Sequence, residues 1–257
     1  MQDSPPLQPV HTNEGRPLVV CPLEFERGAL RKLGLESLCD LHCCGPGAEA
    51  VTMWVQRLTQ RPRLVILAGL AGALDPQLQS GSAHAITSVI DEAGQCISRG
   101  QFEDHSQSLI GKCTIVSASA SVTSPCNKDE LFHRTGASLV DLESWAFATC
   151  ARQAQWPWLI IRGVSDRADE SLPHNIDTWV DRSGRARAGV IAQSILKNPF
   201  LLRRLVRLRR HGMEAMADVA RLIRQVADRR VQWIQPGETS ATDSRISPGA
   251  TRQSSSG

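Results

Sequence analysis

Short apolar runs and helix-patterned segments alternate along this chain. The apolar runs predict strands buried on both faces at residues 17–21, 38–43, 64–68, 113–118, 138–140 and 158–161. Between them, the residue patterns predict helices at 24–33, 48–58, 126–135 and 144–155. Residues 84–90 and 95–99 predict a hairpin around a turn that contains Gly94. Strands that alternate with helices predict an α/β fold with a parallel sheet.

The ends of the chain differ in composition from this patterned region. Residues 1–16 are polar and proline-rich, and residues 235–257 are rich in Ser, Thr and Pro, so both are predicted to be disordered. Residues 17–234 are predicted to form one domain. A chain of 257 residues with 41% hydrophobic residues is long enough for a single sizeable core.

The composition argues against several classes of protein. A formal net charge of +3 is too small to indicate a nucleic-acid partner, and no apolar run approaches the roughly 18 residues of a membrane span. The eight cysteines do not resemble a disulfide framework, and the N-terminus does not resemble a signal peptide, so we expect reduced thiols and a cytoplasmic location. The spacing from Cys39 to Cys44 fits no metal site, and we expect no metal or organic cofactor.

Two carboxylates follow neighbouring predicted strands. Glu143 lies just after the strand at 138–140, and Asp166 follows the strand at 158–161. Because ligands of α/β sheets bind beyond the carboxyl ends of parallel strands, both are expected to face one crevice. The alternative is that they only cap helices or pair with Arg162.

The sequences V-D-L-E-S at 140–144 and R-G-V-S-D-R-A-D at 162–169 resemble the nucleoside phosphorylase and nucleosidase superfamily. The resemblance implies a three-layer α/β/α fold with a mostly parallel, mixed central sheet. It implies that Glu143 holds the ribose hydroxyls and that Asp166 is the general acid at the purine N7. It also implies that Glu26, after the first strand, activates the attacking water. From its position alone, Glu26 is equally an acid that favours a helix start.

Two glycine-containing segments extend this resemblance. Gly45 and Gly47 precede a helix, where they either present N–H groups to an anion or a water or simply form a tight turn. Residues 69–74 resemble the family's G-x-A-G-G-L turn, but Leu70 stands where many members have Ser or Thr. This loss of a phosphate donor favours hydrolysis over phosphorolysis. The resemblance adds five substrate contacts: Leu142, Ser165, Ala71, Gly72 and Val122.

The chain beyond Asp169 resembles one branch of the superfamily. An L-P pair, a D-x-x-G-R turn, a helix, an N-P break and a leucine- and arginine-rich segment resemble the hopanoid-associated phosphorylases, to which removal of adenine from adenosylhopane is ascribed. Residues 199–231 predict one or two amphipathic helices with a basic side. Such helices either contact an anionic membrane or pack on the domain with their arginines in solvent.

These patterns together predict hydrolysis of the N-ribosidic bond of an adenine nucleoside with a 5′ substituent, adenosylhopane being one candidate. Two alternatives remain open at this stage: a purine nucleoside phosphorylase, and a catalytically silent nucleoside-binding protein. The expected partner is a small-molecule purine nucleoside rather than nucleic acid. A homodimer and peripheral contact with the inner face of the membrane are further expectations.

Overall fold

The computed structural model describes residues 15–98 and 113–228. The segments predicted to be disordered lie outside these residues, apart from positions 15 and 16. Residue 99 of the predicted hairpin and residues 229–234 at the end of the predicted domain also lie outside them.

Strands and helices alternate along the described chain, as predicted. The strands are β1 (Leu18–Cys21), β2 (Asp40–Cys43), β3 (Val65–Ala73), β4 (Ala83–Asp91), β5 (Cys96–Ser98), β6 (Cys113–Ser117), β7 (Leu139–Asp141) and β8 (Trp158–Asp166). The helices are α1 (Glu24–Lys32), α2 (Ala48–Gln56), α3 (Pro125–Thr135), α4 (Ser144–Gln153), α5 (Ala188–Lys197) and α6 (Leu201–Asp228).

The strands form one mixed sheet in the order β2-β1-β3-β7-β6-β4-β5, and β8 bridges β3 and β4. β8 is parallel to β3 and antiparallel to β4. β7 is parallel to β6 and antiparallel to β3. The strands β3, β8, β4, β6 and β7 therefore close on themselves, and the side chains at their ends are brought around a common centre.

Helices cover both faces of this sheet. On one face, α2 and α4 bury side chains such as Trp54 and Phe147 against β1, β3 and β8. On the other face, α1 and α6 bury Leu30, Met216 and Ile223. This arrangement confirms the predicted α/β/α fold with a mixed central sheet.

α6 has a buried half and an exposed half. Ala215, Met216, Val219, Ala220 and Ile223 are fully buried, and a Cβ placed on Gly163 of β8 would lie 2.8 Å from that of Ala215. The residues between Leu201 and His211 are mostly exposed and include five of the seven arginines of this helix. In the described part of the chain, no helix is sufficiently long and apolar to cross a membrane.

Two strands are longer than predicted. The prediction of a turn at 69–74 is wrong, because β3 continues to Ala73 and pairs with β8 as far as Gly72. β8 likewise runs to Asp166 rather than ending at residue 161. Glycine weakens a strand in isolation, but here β3 gains hydrogen bonds from β8 on one side and from β1 and β7 on the other.

Candidate active site

Glu26 lies in the first turn of α1, where it is almost completely buried. Its Oε2 accepts a hydrogen bond from Leu23 N at 2.8 Å, and its Oε1 accepts one from Leu70 N at 2.7 Å. Burial raises the pKa of this carboxyl to about 7, although the neighbouring Arg162 and the two N–H donors oppose the change. A carboxylate with this pKa can take a proton near neutral pH.

Arg162, fully buried on β8, links two further carboxylates. Its Nη2 donates to Asp141 Oδ2 and, at 3.2 Å, to Glu143 Oε2. Glu143 Oε1 accepts the N–H of Gly47 at 2.8 Å. Burial raises the pKa of Glu143, and the Arg162 charge opposes this rise. Glu143 is therefore fixed between the start of α2 and the centre of the sheet.

Asp141 completes the support of this cluster. It accepts hydrogen bonds from Ser144 Oγ at 2.5 Å, Ser144 N at 3.1 Å and Ser117 Oγ at 2.8 Å. With Arg162 as a fourth partner group, its carboxylate has no spare position for a ligand. Asp141 thus holds Arg162 in place rather than facing the substrate.

Gly69 separates Glu26 from Arg162. A Cβ at this position would lie 2.6 Å from Arg162 Nη1 and 2.7 Å from Glu26 Oε1. Glycine is therefore required for the two side chains to approach each other here. Arg162 Nη1 is buried and makes no hydrogen bond within the described residues, so a donor lies beside the carboxylate of Glu26. This pair suits a small polar group such as water.

Asp166 occupies the end of β8, opposite Gly72 of β3. It is almost completely buried, and a Cβ at Gly72 would lie 3.3 Å from its Oδ2. Its Oδ1 accepts from Ser165 Oγ at 2.5 Å, and its Oδ2 accepts from the ammonium of Lys128. Burial raises the pKa of Asp166, whereas Lys128 opposes that effect. Burial therefore favours the protonated form that a general acid needs.

β3 contributes a glycine beside each of two groups of buried side chains. β3 carries Gly69 next to Arg162 and Glu26, and Gly72 next to Asp166. Because a strand rises about 3.3 Å per residue, the glycines lie roughly 10 Å apart.

The other predicted contacts take varied positions. Leu142 and Val122 are partly buried against the same apolar cluster, which includes Leu131. Ala71 has a buried side chain, and its carbonyl accepts from Ser165 Oγ at 3.1 Å. The structure brings Ser165, Ala71 and Gly72 together at Asp166, while Leu142 and Val122 lie over α3.

The G-P-G loop at 45–47 contacts other parts of the protein. Gly47, with a φ of 87°, gives its N–H to Glu143. Gly45, with a φ of 93°, packs so closely on the later chain that a Cβ there would lie 2.2 Å from Arg182 O. Whether this loop also holds a water or an anion stays a prediction.

The D-x-x-G-R turn at 181–185 covers the loops that precede α1 and α2. Gly184 O accepts from Glu24 N at 2.9 Å, and a Cβ on Gly184 would lie 2.5 Å from Pro22 O. Asp181 orders the turn by accepting from Ser183 N and Arg185 N at 2.9 and 3.0 Å. The chain beyond Asp166 therefore helps to close the site around Glu26.

The side chain of Leu70 lies away from the buried acids. Its N–H is taken by Glu26, and its side chain faces α6, where a Cβ on Gly212 would lie 3.2 Å from Leu70 Cδ1. A hydroxyl at this position would point the same way, so the preference for hydrolysis over phosphorolysis stays a prediction.

Sequence reasoning missed two members of the site. Lys128 had no visible partner, because it reaches Asp166 from 38 residues away. Arg162 was considered only as an alternative partner for the acids, whereas it connects Asp141, Glu143 and the surroundings of Glu26. The sequence did contain a signal for Arg162: it directly follows an apolar run, and a charged residue buried in a strand must be paired.

Comparison with known proteins agrees with this fold. Residues 111–197 match the family model of the phosphorylase superfamily, and no curated protein sequence matches the chain. A 5′-methylthioadenosine/S-adenosylhomocysteine nucleosidase of Helicobacter pylori has a TM-score of 0.60 at 14% identity, over 83% of this chain and 97% of its own. The futalosine hydrolase of Helicobacter pylori gives 0.59 at 13% identity, with the same coverage.

A third solved structure contains a bound product-like base. The 5′-methylthioadenosine/S-adenosylhomocysteine nucleosidase of Colwellia psychrerythraea, in complex with adenine, has a TM-score of 0.60 at 14% identity, over 85% of this chain and 97% of its own. The chain therefore has the fold of these nucleosidases, and its residues 111–197 carry the sequence match to the phosphorylase superfamily.

Proposed function

We propose that the protein hydrolyses the N-ribosidic bond of an adenine nucleoside. The observation that carries this proposal is the set of three buried acids: Glu26 beside Gly69, Glu143 paired with Arg162, and Asp166 beside Gly72. Solved nucleosidases with the same fold, one of them in complex with adenine, support the substrate class.

Each carboxylate has a distinct part in the proposed reaction. Glu26 takes a proton from a water that Arg162 Nη1 helps to hold, and the water oxygen attacks C1′. The C1′–N9 bond breaks with its electron pair going to the base, while Asp166 gives a proton to N7. Glu143 accepts the ribose hydroxyls, and its negative charge stabilises the cationic character that develops on the sugar.

The proposed hydrolysis is tested by adenine release from a panel of 5′-substituted adenosines, with and without phosphate. We expect release without phosphate, with the 5-substituted ribose as the sugar product. Accumulation of the 5-substituted ribose 1-phosphate would instead establish a phosphorylase. Asp166→Asn should lower turnover about 10²–10⁴-fold, because the amide cannot deliver the proton. Binding of adenosines without release from any of them would identify a silent nucleoside-binding protein.

We further propose a large apolar 5′ substituent, as the resemblance to the hopanoid-associated branch implies. A narrow cleft of about 20 Å³ lies beside Asp166, between Leu172 and Pro173 on one side and Leu205 and Leu208 on the other. Its lining also includes Glu170, Ser171, Arg204, Arg207 and His211. It joins an open arginine cleft of about 520 Å³, lined by Arg167, Asp169, Glu170, Ser171, Arg204 and Arg207. Faster turnover of 5′-methylthioadenosine than of every bulky 5′-alkyl adenosine would contradict this specificity.

Peripheral contact with an anionic membrane is proposed from the surface beside that cleft. Residues 182–213 contain nine arginines and lysines and no carboxylate. The same segment exposes Leu196 by 83%, Phe200 by 81% and Val206 by 63%. Apolar tips surrounded by cations suit the interface of a membrane that contains anionic lipids.

Flotation with phosphatidylserine-containing vesicles tests this contact. Binding at low salt should weaken at high salt, because screening shortens the reach of surface charge. Phe200→Ala should weaken binding about fivefold or more, since it removes most of an inserted apolar side chain. Met53→Ala is the matched control, because Met53 is an exposed apolar residue on the opposite helical layer. Absence of flotation at low salt would refute the membrane proposal.

The homodimer and the cytoplasmic location stay predictions from the resemblance and the composition. Sedimentation equilibrium of the full chain would decide the first, and fractionation of cells that produce it would decide the second.

A further inference from the structure

Lys128 is a fully buried lysine in the first turn of α3. Its ammonium donates to Asp166 Oδ2, to Arg167 O at 2.6 Å and to Glu170 O at 3.0 Å. These three acceptors use all three N–H donors of an ammonium. Lysine is rarely buried completely unless it is paired, so the position of this side chain depends on Asp166 and on the turn that follows it.

The two oxygens of Asp166 have different neighbours. Oδ2 is held by the ammonium, whereas Oδ1 lies 2.5 Å from Ser165 Oγ. Ser165 Oγ also lies 3.1 Å from Ala71 O, but a hydroxyl has only one hydrogen to donate. When Asp166 is ionised, the hydroxyl donates to Oδ1. When Oδ1 carries a proton, that proton is donated to Ser165 Oγ and the hydroxyl turns to Ala71 O. A proton on Asp166 therefore belongs on Oδ1.

We propose that Lys128 is a positioning residue for the general acid: it fixes Oδ2, leaves Oδ1 to carry the transferable proton, and stabilises the carboxylate that forms when the proton leaves. This inference rests on the proposed nucleosidase function. In the step itself, the O–H bond of Oδ1 breaks, the proton goes to N7, and the electron pair of the C1′–N9 bond goes to the base. Lys128 keeps its own protons throughout, and Asp166 is protonated again from solvent.

The charge of Lys128 also balances the effect of burial. A buried carboxyl with no cation nearby holds its proton too tightly to be an effective acid. An ammonium at hydrogen-bond distance lowers the affinity of the carboxyl for its proton, because its positive charge stabilises the carboxylate that remains after proton transfer. The same ammonium binds two carbonyls of the turn at 167–170, so a purely structural role must be distinguished from an electrostatic one.

The decisive measurement is the titration of Asp166 in Lys128→Met, followed by its carboxyl ¹³C resonance and assigned with Asp166→Asn. Loss of the ammonium should raise the midpoint of this titration by one pH unit or more. Lys128→Gln, which keeps donors without the charge, should shift the midpoint in the same direction, and it provides the test if the Met variant does not fold. In kcat against pH, the basic limb should move upward with the midpoint, while the low-pH plateau falls about tenfold.

Ser124→Ala is the matched control. It removes the N-cap of the same helix, where Ser124 Oγ accepts from Asn127 N at 3.1 Å, and leaves the ammonium in place. A titration of Asp166 that does not move in either Lys128 variant, or that moves equally in Ser124→Ala, would overturn the proposal. Because the resonance is read without turnover, an absence of nucleoside hydrolysis would refute the proposed function and leave the Lys128 measurement valid.

Discussion

The replacement of Glu26 by Gln should change the pH dependence of folding stability. Burial raises the pKa of Glu26 from 4.5 to about 7, so the folded protein binds a proton that the unfolded chain releases between these values. Stability of the wild type should therefore fall as pH rises through this interval. At about 1.4 kcal/mol per pH unit, the contribution is about 3 kcal/mol.

Glu26→Gln cannot ionise, so it lacks this decline. Its side chain has one oxygen for the two N–H groups of Leu23 and Leu70, and the unpaired donor should cost about 1–3 kcal/mol at every pH. The expected result is a variant that is less stable than the wild type at pH 4.5 and gains about 3 kcal/mol relative to it by pH 8. Other buried carboxyls titrate in both proteins, so their contributions cancel in the difference.

Urea unfolding at pH 4.5, 6 and 8 measures this relative gain. The control Glu24→Gln removes a partly exposed carboxylate paired with Arg27 in the same turn, and its effect should stay below about 1 kcal/mol. A stability difference between Glu26→Gln and wild type that is the same at all three pH values would refute the reasoning. A difference that moves against the variant with rising pH would do so as well.

Three further outcomes are expected. Gly69→Ala should destabilise the fold by about 1–3 kcal/mol and reduce turnover, because its Cβ would overlap Arg162 and Glu26. The control Gly28→Ala, in open space on α1, should stabilise the fold by about 0.5–1 kcal/mol. Equal effects of the two substitutions on stability would contradict this account. Wild-type kcat/KM should rise with pH through about 7, as Glu26 ionises; a flat profile between pH 5.5 and 8 would exclude Glu26 as the base. Glu143→Gln should lower kcat/KM more for ribosides than for 2′-deoxyribosides, measured as a ratio that a structural defect would leave unchanged.

Local pattern was sufficient for the order of the elements, and apolar runs located the cores of β1, β3 and β8. The roles of Glu26, Glu143 and Asp166 came from the family resemblance and stay predictions. Pattern failed where tertiary pairing overrides local preference: Gly69 and Gly72 looked like a turn, but Gly69 pairs with β8, and Gly72 pairs with both β8 and β7. It also failed for Lys128, because nothing local indicates that a lysine near a helix start will point inward to an acid on β8.

α6 is a single helix of 28 residues, so it behaves as a rod about 42 Å long. The stretch from Ala215 to Ile223 packs on the sheet, and Ala215 lies against Gly163, three residues before Asp166 on the same strand. The first turns carry Leu202 and Val206 outward, while Arg204 donates to Ser171 O and Arg207 pairs with Glu170. The exposed residues of the helix are thus fixed in direction relative to the strand that ends at Asp166. A surface that binds the exposed first turns of α6 would fix the direction in which the cleft at Asp166 faces, as well as the position of the protein.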